Sequence, residues 1–230
     1  GADAWRRARL DELAERDNVR VMTRTTAFGL YDGNVVGALE RSWDHVTAPP
    51  AGAPRQRSWR IHAGRVIHAT GATERPLLFG DNDRPGVMLA GAARHYVNHF
   101  GVRPGGRVLV ATNNDSAYAA ARDLHAAGAR VSLVDSRATP GDAALEAAHA
   151  AGLDVRTRCR VAWTRGRLRV KGARIAGRRE EADVGCDLLC VSGGWSPNVH
   201  LPSHLGHRPE YRADLGAFVP GDLPPDQAAA

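Results

Sequence analysis

Cysteine is scarce. The chain has three among 230 residues, Cys159, Cys186 and Cys190. So small and odd a number cannot build a disulfide framework, and a chain of this length buries a core without staples. Reduced thiols in a cytoplasmic setting fit better. Lysine is almost missing: of 31 basic residues only Lys171 is one. Aromatic residues make up 6% of the chain, and none of the five tryptophans falls into a stacking pattern. No apolar run approaches the length of a membrane-spanning helix, so no membrane partner is expected. The chain starts at Gly1-Ala2-Asp3, with no Met and neither the basic nor the apolar region of a signal peptide. It ends in Pro224-Pro225-Asp226-Gln227 and three alanines, and both ends read as cuts in a longer chain. No repeat of solenoid period occurs. The net charge is +6, from 31 basic and 25 acidic residues. The arginines are scattered through every segment, which argues against a nucleic-acid surface.

What is present is a run of short elements. Residues 2–16 predict a helix with Trp5, Ala8, Leu10, Leu13 and Ala14 on one face. Val19 to Arg24 reads as a strand. Ala27 to Tyr31 and Val35 to Leu39 flank Asp32-Gly33-Asn34, a hairpin signal, because Asp-Gly at a tight turn tolerates positive φ. Arg57 to His62 completes a three-stranded antiparallel meander. Val66 to Ala69 predicts a short buried strand. Val87 to Phe100 has helical spacing and is stopped by Gly101. Then comes the clearest unit: strand Arg107 to Ala111, helix Ser116 to Ala127, strand Ala129 to Asp135. Strand, helix and strand in so short a span form a right-handed βαβ unit of a parallel sheet. Asp142 to Ala151 predicts a helix and Val155 begins a strand. Arg160 to Thr164, Leu168 to Val170 and Arg174 to Ile175 predict short antiparallel strands. Leu188 to Val191 predicts a buried strand, and the tail after Pro202 reads as loop.

Three motifs carry the chemistry. The βαβ turn is where a G-x-G-x-x-G/A loop would cradle a pyrophosphate at a helix N-terminus. Its positions hold Thr112, Asn113, Asn114, Asp115, Ser116 and Ala117, and only Ala117 is a permitted residue. Asn114 could take a left-handed turn conformation. Asp115 would cap the helix and repel an anion. Asp135, ending the second strand, stands where a ribose-binding acid belongs. The loop leaves two readings open, a rebuilt dinucleotide site or a βαβ unit without nucleotide. The second motif is Ala69-Thr70-Gly71-Ala72-Thr73-Glu74-Arg75-Pro76, small residues at a strand end where a nucleotide backbone can approach. The third is Ser192-Gly193-Gly194-Trp195-Ser196-Pro197-Asn198, a G-x-x-P-N run marking the chain's return from an inserted domain.

Meander, A-T-G, linker, βαβ unit and G-x-x-P-N, in that order, resemble the two-dinucleotide-binding-domain, glutathione-reductase-like flavoproteins. More closely, residues 26–32, 69–76, 81–88, 112–118 and 191–201 resemble the alpha subunit of heterotetrameric sarcosine oxidase, from about Val19 to Pro220. The resemblance implies an α/β fold of three parts. Residues 1–86 would be a partial first FAD/NAD-binding domain with the meander, 87–194 an inserted Rossmann-like domain, and 195–230 the return to the first. It implies part of a complex that oxidatively demethylates sarcosine to glycine, yielding peroxide and either formaldehyde or methylene-tetrahydrofolate. It implies a non-covalent NAD in this subunit, with FAD and FMN in the full complex. It further implies beta, gamma and delta partner subunits, and tetrahydrofolate bound by a C-terminal part outside this chain. By position, Thr70 and Gly71 would line the NAD site, with Ala27 near the adenine. Thr112, Asn113, Asn114, Asp115, Ser116 and Asp135 form the other candidate cofactor contacts. A related subunit of an opine, proline or amino-acid dehydrogenase, or a non-catalytic scaffold, remains an alternative.

No residue stands out as a general base or nucleophile, so no catalytic residue is assigned. Cys186 and Cys190 read as a buried thiol pair on one strand face, not as metal ligands. His95 and His99 lie at i, i+4 on a helix, but Tyr96 stands where a zinc protease carries Glu. No metal site is expected. His68 reads as a satisfied core group. Arg75, Arg84 and Arg94 are expected to pair with Glu74, Asp81 and Asp83, with facing a flavin phosphate as the alternative.

Overall fold

A computed structural model of the chain describes residues 2–178 and 181–229. The chain divides into two compact units, residues 1–71 with 197–230, and residues 72–196.

In the first unit, helix α1 (Ala2–Ala14) forms where the sequence placed it. Its apolar face is open, with Trp5 68% exposed. Arg9 and Arg16 both pair with Glu12 one turn away, at 2.6 and 3.6 Å, which supports an exposed helix weakly. Val19 to Arg24 is not a strand; Val21 is 49% exposed and Arg24 sits at φ 51°, a left-handed conformation that breaks extension. The meander is as expected: β1 (Thr25–Tyr31), β2 (Val35–Glu40) and β3 (Arg57–His62) pair antiparallel in sequence order. The hairpin loop is Asp32-Gly33-Asn34, and positive φ falls on Gly33 and Asn34 rather than on Asp32. Strand β4 (Val66–His68) is exposed at Ile67 and buried only at His68.

The second unit opens with β5 (Ala72–Glu74) and β6 (Val87–Leu89). Residues 87–89 are therefore strand, not helix, because their backbone groups pair in parallel with a strand a hundred residues on. Helix α2 (Ala90–Phe100) follows and ends at Gly101 in the left-handed conformation, φ 64°. The βαβ unit appears as β7 (Arg107–Thr112), α3 (Ser116–Ala126) and β8 (Arg130–Asp135), paired in parallel. Then come α4 (Asp142–Ala150) and β9 (Asp154–Thr157). A second meander is built from β10 (Cys159–Arg165), β11 (Gly172–Gly177) and β12 (Glu181–Val184). Leu168 to Val170 is the loop between β10 and β11, not a strand: Leu168 is 83% exposed while Val170 turns inward. Strand β13 (Leu188–Ser192) is fully buried, and β14 (Trp195–Pro197) pairs with β5.

These strands form a five-stranded parallel sheet in the order β6-β13-β7-β8-β9. Helices on one face and a meander on the other explain why its strands read as unbroken apolar runs. Val108, Val110, Leu133, Leu188 and Cys190 pack with α2, α3 and α4. Leu109, Ala111, Val134, Leu189 and Cys186 pack with the second meander. Each leucine buried in this way contributes roughly 1.5–3 kcal/mol. Cys186 and Cys190 thus lie on opposite faces. Cys186 precedes β13, so strand alternation does not extend to it.

The chain returns to the first unit with α5 (His200–Ser203), β15 (Glu210–Arg212), β16 (Ala217–Val219) and β17 (Gln227–Ala229). The tail is therefore not all loop. Its last strand pairs in parallel with β4, and the Gln227 side-chain oxygen accepts from the His68 ring at 3.2 Å. Asn34 from the hairpin loop joins the same cluster, donating to Asp226 at 2.6 Å and accepting from Gln227 at 3.0 Å. These bonds explain why a polar loop residue is only 4% exposed.

Candidate functional site

Three polar residues end three neighbouring strands of the parallel sheet. Ser192 of β13 is opposite Thr112 of β7, and Thr112 is opposite Asp135 of β8. All three are essentially fully buried. This is the carboxyl edge of the sheet, the place where open α/β sheets take ligands.

Asn114 organises the turn above this row. Its amide nitrogen donates to the Ser192 hydroxyl at 3.0 Å and to the Ser192 carbonyl at 3.2 Å. Its side-chain oxygen accepts from the Ser116 N–H at 3.1 Å and the Ser116 hydroxyl at 2.6 Å. The Thr112 hydroxyl holds the Asn114 backbone at 3.0 Å through both its N–H and its carbonyl. The Asn113 N–H reaches the Ser192 carbonyl at 3.4 Å. Asn114 is not left-handed. Side-chain bonds hold the turn in place of a positive φ.

Asp115 does not cap the helix with its side chain. Its carboxylate instead accepts from the Arg137 guanidinium at 2.6 Å and from the Gly141 N–H at 3.1 Å. The Arg137 hydrogen bond holds the Asp115 carboxyl below the usual carboxylate range. Arg137 also grips Asp135, through Nε at 3.1 Å, Nη2 at 2.7 Å and its backbone N–H at 2.9 Å. The Tyr118 hydroxyl donates to the same carboxylate at 2.9 Å. Four donors fill what two carboxylate oxygens accept. Burial, and then the Asp135 charge, push the Tyr118 phenol well above its ordinary value. The sequence flagged Asp135 but not Tyr118. Its signal was the buried carboxylate itself, which requires donors.

A cleft of about 350 Å³ opens beside the first turns of α2 and α3. Glu74 lines it, only 8% exposed, and accepts from the Gly91 N–H at 2.8 Å. A carboxylate there opposes the partial positive charge of the α2 N-terminus. Trp195 donates from its indole to the Ser116 hydroxyl at 2.9 Å. Arg84 pairs with Asp81 as expected, at 2.8 Å, but Arg94 pairs with Asp123, at 2.6 Å, rather than with a neighbour in sequence. His95 and His99 stack, with ring centroids 4.8 Å apart. No cluster of three or more metal-ligating side chains occurs among the described residues.

In the first unit, the A-T-G and P-N motifs are bonded together. The Asn198 amide donates to the Thr70 carbonyl at 2.8 Å, and its N–H to the Gly71 carbonyl at 2.9 Å. The Thr70 hydroxyl donates to the Asn198 carbonyl at 3.1 Å. Ala27, Thr70 and Gly71 are all exposed. Gly71 has φ +66°, and nothing stands within 4 Å of where its Cβ would lie. That open, small backbone fits the close approach of a nucleotide. The Thr112–Ser116 turn fits one less well, because an incoming pyrophosphate would have to displace internal bonds and face Asp115.

No family model matches the chain. It is 44% identical over 221 residues to the sarcosine oxidase alpha subunit of Rhizobium meliloti, covering 93% of this chain and 21% of that protein. It is 42% identical to the sarcosine oxidase alpha subunit of Corynebacterium sp. strain P-1, over 95% of this chain and 24% of that one. It is 30% identical over 141 residues to the A subunit of opine oxidase of Agrobacterium tumefaciens, covering 61% of this chain and 27% of that protein. The chain therefore spans about a quarter or less of the length of these relatives. Among solved structures it is similar to L-proline dehydrogenase of P. horikoshii, with a TM-score of 0.62 at 20% identity, over 97% of this chain and 39% of that one. It is also similar to T. acidophilum thioredoxin reductase, with a TM-score of 0.60 at 17% identity, over 76% and 60%. Over most of its length the chain is a homologue of sarcosine oxidase alpha subunits, and its fold is that of the flavoproteins with two dinucleotide-binding domains.

Proposed function

We propose that this chain is the cofactor-holding part of a sarcosine-oxidase-like alpha subunit, with NAD bound non-covalently at the A-T-G end of the first unit. The bonding of Asn198 to Thr70 and Gly71 carries this reading. It fixes the small-residue strand end at which a nucleotide backbone can approach. Thr70 and Gly71 would line the site, with Ala27 of β1 on the adenine side. Thr112, Asn113, Asn114, Asp115, Ser116 and Asp135 would be secondary contacts, since their polar groups already serve each other. No catalytic residue is assigned to this chain, and the amine chemistry would belong to the rest of the complex. There FAD would take electrons from sarcosine and FMN would pass them to oxygen. NAD would be held as a resident group and not turned over. The complex would include beta, gamma and delta subunits and work in the cytoplasm, with tetrahydrofolate taking the one-carbon unit at a part of the subunit outside this chain.

The test is mass spectrometry of small molecules released on denaturing the full-length subunit, purified with its neighbours. NAD together with flavin is the expected result. A well-folded preparation that releases no nucleotide overturns the reading and leaves a scaffold. The likeness to the A subunit of opine oxidase supports a second reading, a complex acting on other N-substituted amino acids. Turnover of sarcosine against opines and proline by the same preparation separates the two.

A further inference from the structure

The β10–β11 ladder ends in an arrangement that a lone protein disfavours. Cys159 faces Gly177 and Arg160 faces Ala176. Arg158 lies just before this ladder and Arg178 just after it, so three like charges gather at one end of it. Arg158, Arg160, Ala176 and Arg178 line one concavity of about 270 Å³, with Ser136 at its edge. Ala176, small and opposite Arg160, leaves the room. Arg158 adopts φ 58°, an unusual backbone for a residue with a long side chain, and its N–H is held by the Arg137 carbonyl at 2.9 Å. None of these three arginines forms an ion pair among the described residues. Among the described residues, Asp154 pairs with Arg156, Glu181 with Arg174, and Asp183 with Arg165 and Arg174.

A second, apolar slot of about 200 Å³ adjoins the basic concavity in that Ser136, Cys159 and Arg160 line both. The slot is walled by Leu77, Leu78 and Phe79 and floored by Ala111, Val134 and Val161. Guanidinium groups bind phosphate oxygens through paired N–H donors, and a concave surface of one sign strengthens the attraction. We propose that these two adjoining cavities together bind a small organic phosphate, its phosphate held by Arg158, Arg160 and Arg178 and its flat apolar part in the slot. The slot is also lined by Thr112, a secondary contact in the NAD reading, but none of the three arginines belongs to that reading.

The test is isothermal titration calorimetry on the full-length subunit with phenyl phosphate, inorganic phosphate and phenol. Phenyl phosphate should bind tightest of the three. In the Arg160→Ala/Arg178→Ala variant its affinity should fall roughly tenfold or more. Leu78→Ser, at a residue 88% exposed, should weaken phenyl phosphate but leave inorganic phosphate unchanged. Release of NAD should not change in either variant. Phenyl phosphate binding no tighter than inorganic phosphate, or equally well to the parent and the double variant, overturns the proposal.

Discussion

Arg137 connects a fully buried carboxylate, Asp135, with a half-exposed one, Asp115. Removing it leaves the Asp135 charge buried with Tyr118 as its remaining side-chain donor. Arg137→Met should therefore cost about 3–5 kcal/mol in urea unfolding of the full-length chain. Tyr118→Phe, which removes one neutral donor, should cost roughly 1–2 kcal/mol. The Asp115 carboxyl is held low by Arg137, so its contribution is fully present above the unfolded-state value near 4. That contribution is lost as pH falls through the still lower native value. Asp115→Asn should remove this acid-side loss, read by comparing unfolding at about pH 7 and about pH 3. An unchanged acid slope would show that Asp115 carries none of it. Asp135 was legible in the sequence as a strand-ending acid. Its partners were not, because neither Tyr118 nor Arg137 has a spacing that marks a role before the sheet brings them together.

At the scale of elements, periodicity found what is local. The hairpin, the βαβ unit and the Gly101 stop follow from neighbours within a few residues, where apolar spacing and positive-φ residues act directly. It failed where pairing is remote. Val87–Leu89 has helical spacing yet is strand, because β13 offers it a ladder. Leu168–Val170 is apolar enough for a strand yet is a loop that buries one side chain. That difference is measurable. Val170→Ala should cost roughly 2 kcal/mol, and Leu168→Ser should stay within about 0.5 kcal/mol of the parent in thermal unfolding. Equal losses at both positions would mean that residue 168 is packed as a strand would pack it.

At the scale of the molecule, the three cysteines are all buried in the second unit. Burial pushes the Cys186 thiol up to about 11 and the Cys190 thiol higher still. At about pH 8 neither should react with iodoacetamide in the native chain, and labelling should follow opening of the sheet. Rapid native labelling of Cys190 would contradict its place between the sheet and the helices. No helix among the described residues is long and apolar enough to cross a membrane.

The sequence by itself determined the α/β class, the first meander and a parallel βαβ unit, because those depend on patterns confined to short windows. It also determined the order of motifs from which the kinship with sarcosine oxidase alpha subunits was read. Only the tertiary structure decided that β13 enters the sheet between β6 and β7. That insertion sets Ser192 beside Thr112 and gives Asn114 partners 78 residues away. It also decided that the polar turn is bonded to itself and that Arg158, Arg160 and Arg178 share one concavity. Strand order and side-chain convergence depend on contacts far apart in the chain, and no local pattern encodes which of several suitable partners a buried strand will take.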